Sequence, residues 1–101
     1  MIWRLAVLLL AAVAGSGSPP RTHTVEIRGM EFHPAVLTVA PGDTVAWINR
    51  DIVPHTATAK AWDTKQLSQN QEGHIVVRRS GRVEYVCALH PTMHGTLVVR
   101  D

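Results

Sequence analysis

Near the C-terminal end of this chain a cysteine, a histidine and a methionine fall three residues apart, in Cys87-Ala88-Leu89-His90-Pro91-Thr92-Met93. A second histidine, His55, closes the upstream run Trp47-Ile48-Asn49-Arg50-Asp51-Ile52-Val53-Pro54-His55. Two imidazoles and a thiolate in a near-trigonal plane, with a distant thioether on the axis, suit copper in both oxidation states. Thiolate and thioether favour Cu(I), whereas imidazole serves Cu(I) and Cu(II) alike. The set offers no oxygen ligand, which argues against calcium, magnesium or manganese. Taken singly, each residue has a plainer reading: His55 as a hydrogen-bonded histidine, Met93 as core filler, Cys87 as an inert buried thiol. Their joint spacing on a strand–loop–strand frame points instead to a copper site. The other histidines, His23, His33, His74 and His94, form no clear ligand pattern.

Cys87 is the one cysteine, so an internal disulfide and any all-cysteine zinc or iron–sulfur centre are excluded. The chain has 101 residues, enough for one small domain. Its 46% hydrophobic and 18% charged residues are those of a globular protein. Formal net charge is +2, and the longest basic run is Arg78–Arg79 without aromatic interleaving. Nucleic acid is therefore not an expected partner.

Residues 1–20 read as a separate object. One positive charge, Arg4, precedes an apolar run from Leu5 to Val13, and Ala12-Val13-Ala14 offers small residues for a signal peptidase. This is the pattern of a secretory signal, and the run is roughly half of what spans a membrane. Gly15 to Pro20 reads as a flexible stub, leaving residues 21–101 as the domain. Retention of the segment as an anchor is the alternative. In an oxidising compartment a lone cysteine is a liability unless it has a job, which returns attention to Cys87.

The elements that must position these donors show an apolar period of two. Val25 and Ile27, Leu37 and Val39, Val45 and Trp47, Ile75 and Val77, Val83, Tyr85 and Cys87, and Leu97 and Val99 form the expected inward set. Pro41-Gly42-Asp43, Ser80-Gly81 and His94-Gly95 separate the runs as turns. Short strands between turns, with no long stretch of period 3.6, indicate an all-β sandwich of about seven or eight strands. Ala61 to Glu72 reads as a polar loop with one helical turn.

Several stretches resemble the cupredoxin (blue copper protein) family, most closely its amicyanin type. They are Phe32-His33-Pro34, Leu37-Thr38-Val39, Pro41 to Arg50, Pro54-His55 and Cys87 to Met93, nearly the whole chain from Thr22 on. The short ligand loop, with two residues between successive donors, has the amicyanin-type length. The resemblance implies a Greek-key sandwich with His55, Cys87, His90 and Met93 as ligands of one Cu(I)/Cu(II) ion of type 1. It implies that Asn49 ties its strand to the ligand loop near Ala88. It also implies that His90 reaches the surface as the electron exit, within an apolar docking patch of Val53, Pro54, Leu89, Pro91 and Met30. Thr92 departs from the aromatic residue common in the family and thins that rim.

The function so implied is electron transfer by a periplasmic monomer that docks transiently on redox proteins. An amine dehydrogenase and a c-type cytochrome are the partners the resemblance suggests. The alternative is a copper carrier without redox turnover. An enzyme is not expected, because cupredoxin-like oxidases and reductases need a second copper site across domains.

Overall fold

The computed structural model describes residues 18–101, and these contain seven strands and no helix. The expected signal segment lies outside the described residues up to residue 17, and Ser18, Pro19 and Pro20 are exposed. The strands are β1 (Thr22–Arg28), β2 (Glu31–His33), β3 (Val36–Val39), β4 (Thr44–Asn49), β5 (Glu72–Val76), β6 (Gly81–Cys87) and β7 (His90–Val99). They form two sheets, in the orders β2-β1-β4-β5 and β3-β7-β6. Both are mixed: β1 runs parallel to β4 and β3 parallel to β7, while the remaining pairs are antiparallel.

Alternation along these strands buries one face of each sheet against the other. Of the expected inward set, Val25, Ile27, Val39, Val45, Trp47, Val77, Tyr85, Cys87, Leu97 and Val99 are buried. Leu37, Ile75 and Val83 pack against that core while partly exposed. Phe32, Ala57 and Leu67 join it without having been marked by the alternation. The Tyr85 ring meets Phe32, Trp47 and Trp62 at centroid separations of 4.7, 5.3 and 5.7 Å. Its phenol lies so close over β7 that a methyl group on Gly95 would overlap it.

Local chemistry sets the turns that matter for the site. Asp43 N–H donates to Ala40 O at 3.0 Å with Gly42 at φ 94°, the positive φ that a type II turn requires at its third residue. Gly29 and Met30 both have positive φ and join β1 to β2 as a two-residue hairpin. Met30 adopts φ 63° without being glycine, and both turn N–H groups are held by the carboxylate of Asp51.

Two sequence expectations need correction. Ala61 to Glu72 contains no helical turn; isolated bridges pair His55 with Leu67 and Thr58 with Asp63, and β5 already begins at Glu72. Burial of Leu67 and partial burial of Trp62 draw this segment onto the core, and Thr64 and Leu67 N–H bond back to Ala57 O and His55 O, while Gln71 N–H closes a local turn on Ser68 O. The donors after Cys87 do not lie in an open loop either. Only Ala88 and Leu89 lie between β6 and β7, and His90 is the first residue of β7, directly opposite Cys87. The register jumps from Val86↔His94 to Cys87↔His90, so Pro91, Thr92 and Met93 form a bulge.

Candidate metal centre

Three chain segments deliver the donors to one end of the sandwich. Cys87 ends β6 with its side chain inward, fixed by its phase with Tyr85. The two-residue turn folds β7 back so that His90 Nδ1 comes 3.6 Å from Cys87 Sγ. His55 arrives from the loop after β4, with its Nδ1 3.7 Å from the same sulfur. One donor atom from each of His55, Cys87 and His90 lies within 4.8 Å of the others. His55 and Cys87 are fully buried, whereas His90 is half-buried. Met93, within the bulge, is also buried, at 5% exposure.

Neighbouring groups fix these side chains. His55 Nε2 sits 2.9 Å from Asp51 Oδ2, which takes its N–H and leaves Nδ1 free to face the sulfur. Burial raises the pKa of Asp51, but the N–H groups of Met30, His55 and Gly29 outweigh it and hold the carboxyl below its ordinary value. Thr56 N–H donates to Cys87 Sγ at 3.3 Å, and Thr56 Oγ1 accepts from Ala88 N–H at 2.8 Å. One threonine therefore bonds both the sulfur and the turn beyond it.

Asn49 acts differently from expectation. Its side chain does not bond Ala88; its Nδ2 donates to Val53 O at 2.8 Å and Leu67 O at 2.9 Å, and its Oδ1 accepts from Asp51 N–H at 2.8 Å. Asn49 thus shapes the loop that carries His55, and the bond to Ala88 belongs to Thr56. Asp51 and Thr56 both escaped the sequence reading. The four-residue spacing from Asp51 to His55 was the available signal for the first; nothing local marks the second.

The donor set passes a chemical test for copper. Two imidazole nitrogens and one thiolate converge in a buried place, and the nearby carboxylate of Asp51 is engaged by His55 and two backbone N–H groups rather than offered as a ligand. The family model for the cupredoxin-like domain matches residues 1–99. The chain belongs to the cupredoxin-like family. This cupredoxin is 28% identical over 94 residues to amicyanin of Paracoccus versutus, covering 86% of this chain and 71% of that one. A solved Cu(I) form of an amicyanin variant superposes with a TM-score of 0.73 at 30% identity, covering 78% of this chain and 82% of the other. A copper-containing nitrite reductase from Thermus scotoductus matches with a TM-score of 0.75 and 27% identity, over 89% of this chain but only 25% of the reductase. His55, Cys87, His90 and Met93 of this cupredoxin are arranged as a type 1 copper site.

The turns that carry and flank the donors expose apolar side chains. Met30, Val53 and Leu89 are 40–42% exposed, Pro54 and Pro91 are also exposed, and Ile52 reaches 84%. Ile52 was not among the residues that the resemblance suggested for the patch. The remaining histidines have other positions. His23 bonds Asp43 at 2.8 Å, His33 bonds Arg28 O at 3.2 Å, His74 bonds Glu72 at 3.3 Å, and His94 is exposed on β7.

Proposed function

We propose that this cupredoxin carries single electrons between redox partners, with His55, Cys87, His90 and Met93 as the residues that would hold a copper ion. The convergence of His55 Nδ1, Cys87 Sγ and His90 Nδ1 within 4.8 Å carries this reading. Copper held there would supply one-electron exchange between Cu(II) and Cu(I). The chain's own task is to keep the donors still while the charge changes. Asp51 fixes the His55 ring, the Thr56 N–H group holds the sulfur, and the hairpin register sets His90 opposite Cys87. Donors already placed in one geometry reduce the reorganisation that would slow electron exchange.

His90 is the donor nearest to solvent and so is the electron exit. Met30, Ile52, Val53, Pro54, Leu89 and Pro91 form the rim against which a partner docks weakly and briefly. The amicyanin likeness brings forward an amine dehydrogenase as donor and a c-type cytochrome as acceptor, with the protein a monomer in the periplasm. Removal of the leader at Ala12-Val13-Ala14 fits that location. Full burial of His55 and Cys87 favours this reading over a copper carrier, which needs an open, exchangeable site.

Voltammetry of the copper-loaded chain tests the proposal. A reversible one-electron wave with fast electrode exchange is expected. A silent or irreversible response, with copper readily passed to a chelator, would favour the carrier instead.

A further inference from the structure

Away from the metal centre, β5 and β6 are edge strands of different sheets and do not bond one another. Thr58 closes the gap near the metal end by exchanging backbone bonds of 2.8 and 2.9 Å with Val86. Nearer the start of β6 no backbone bond joins the two edges among the described residues. A cleft of about 510 Å³ opens there between the sheets. Its floor is apolar, made of Trp62, Ile75, Val77, Val83 and Val99. Arg82 on its wall is five residues from Cys87 along β6, about 17 Å at roughly 3.4 Å per residue.

The rim carries a concentration of positive charge. Lys60, Arg78, Arg79 and Arg82 all line this cleft, four of the nine lysines and arginines among the described residues. The one acid beside them, Glu84, is already bonded by Arg82 at 2.9 Å and by Thr96 Oγ1 at 2.8 Å. Lys60, Arg78 and Arg79 have no ion-pair partner among the described residues. A concave, mostly apolar floor with a few charges at its edge has the character of a small-molecule site, and its volume falls in that range. A flat basic face would suit a membrane or an acidic protein surface better.

We propose that this cleft binds a long-chain carboxylate, its alkyl chain between the sheet edges and its carboxylate on Arg78 and Arg79. Guanidinium groups take carboxylates through paired hydrogen bonds, and free arginines at the mouth of an apolar slot provide both halves of the recognition. The site is separate from the metal centre and does not depend on copper. Trp62 lies on the floor and stacks near Trp47 at 5.2 Å, so occupancy should alter tryptophan emission.

Calorimetric titration of the full chain with sodium dodecanoate, kept below its micelle concentration and followed in parallel by tryptophan fluorescence, tests this. One saturable site is expected, present with or without copper. The exposed double substitution Arg78→Glu with Arg79→Glu should weaken it by about tenfold or more while the circular dichroism spectrum stays unchanged. Octyl glucoside, an uncharged amphiphile, should bind no better to the native chain than to that variant. The proposal is overturned if dodecanoate shows no saturation, or if the double variant binds it equally well. Binding only to vesicles of anionic phospholipid would overturn it in favour of a membrane surface, and binding only to polyglutamate in favour of an acidic protein partner.

Discussion

Asp51 Oδ2 lies 2.9 Å from His55 Nε2, while the same carboxylate caps both N–H groups of the Gly29–Met30 turn. One side chain therefore couples the orientation of a donor histidine to the hairpin between β1 and β2. A carboxylate behind a ligating imidazole fixes the ring and raises its basicity, and losing such a partner typically lowers metal affinity about 10–100-fold. Asp51→Asn keeps an acceptor oxygen but removes the charge. A chelator-competition titration should show copper held more weakly by about that factor; an unchanged affinity would contradict the role given to Asp51.

Met93 is buried in the β7 bulge, three residues after His90, and is the fourth donor of the proposed site. Although a thioether is a soft donor, a weak fourth ligand adds more to Cu(II), which prefers the higher coordination number, than to three-coordinate Cu(I), so its removal would disfavour Cu(II). Met93→Leu conserves volume and should keep copper bound while raising the reduction potential. An equal or lower potential, read by voltammetry, would remove Met93 from the site.

Gly95 is required by shape, because a Cβ there would overlap the phenol ring of Tyr85. That ring cannot withdraw easily, since Phe32, Trp47 and Trp62 surround it. Gly95→Ala should destabilise the fold by about 1–3 kcal/mol, as overpacked cores do. The urea midpoint should fall with little change in slope; a midpoint equal to that of the native chain would mean the ring has room to move.

Asp43 sets the acid limit of one corner of the sandwich. Backbone N–H groups of Arg21 and Ala40, and then the His23 ring, lower its pKa from the ordinary 3.8 to about 2, against an opposing effect of burial. A folded-state pKa below the unfolded one gives stability that is complete above about pH 4 and is lost as pH falls through about 2. Asp43→Asn cannot titrate, so the gap in urea midpoint between native and variant chains should narrow as pH falls from about 4 to about 2. A constant gap across that window would contradict the assignment.

The strands with two or more alternating apolar residues were legible, because a half-buried strand writes its period directly into the sequence. The donors were legible for a different reason: Cys87, His90 and Met93 are three apart in one segment. What stayed hidden depends on distant partners. β2 spans three residues and contributes only Phe32 to the core, too little to show a period. Leu67 looked like an isolated apolar residue in a polar run until its backbone paired with His55. The bonds of Thr56 to Cys87 and Ala88 join positions more than thirty residues apart, and no local pattern encodes them. Asn49 was placed correctly as an inward strand-end residue, yet its partners turned out to be Val53, Leu67 and Asp51.

The central claim is that Cys87 gives its thiolate to a redox-active copper beside His55 and His90. The most direct measurement is a visible absorption spectrum of the chain titrated with Cu(II), before and after ascorbate, alongside Cys87→Ser. The native chain should develop one intense blue band at one equivalent, lose it on reduction and regain it on reoxidation, and the serine variant should stay colourless. Pale binding by the native chain, or a blue band in Cys87→Ser, would contradict the claim.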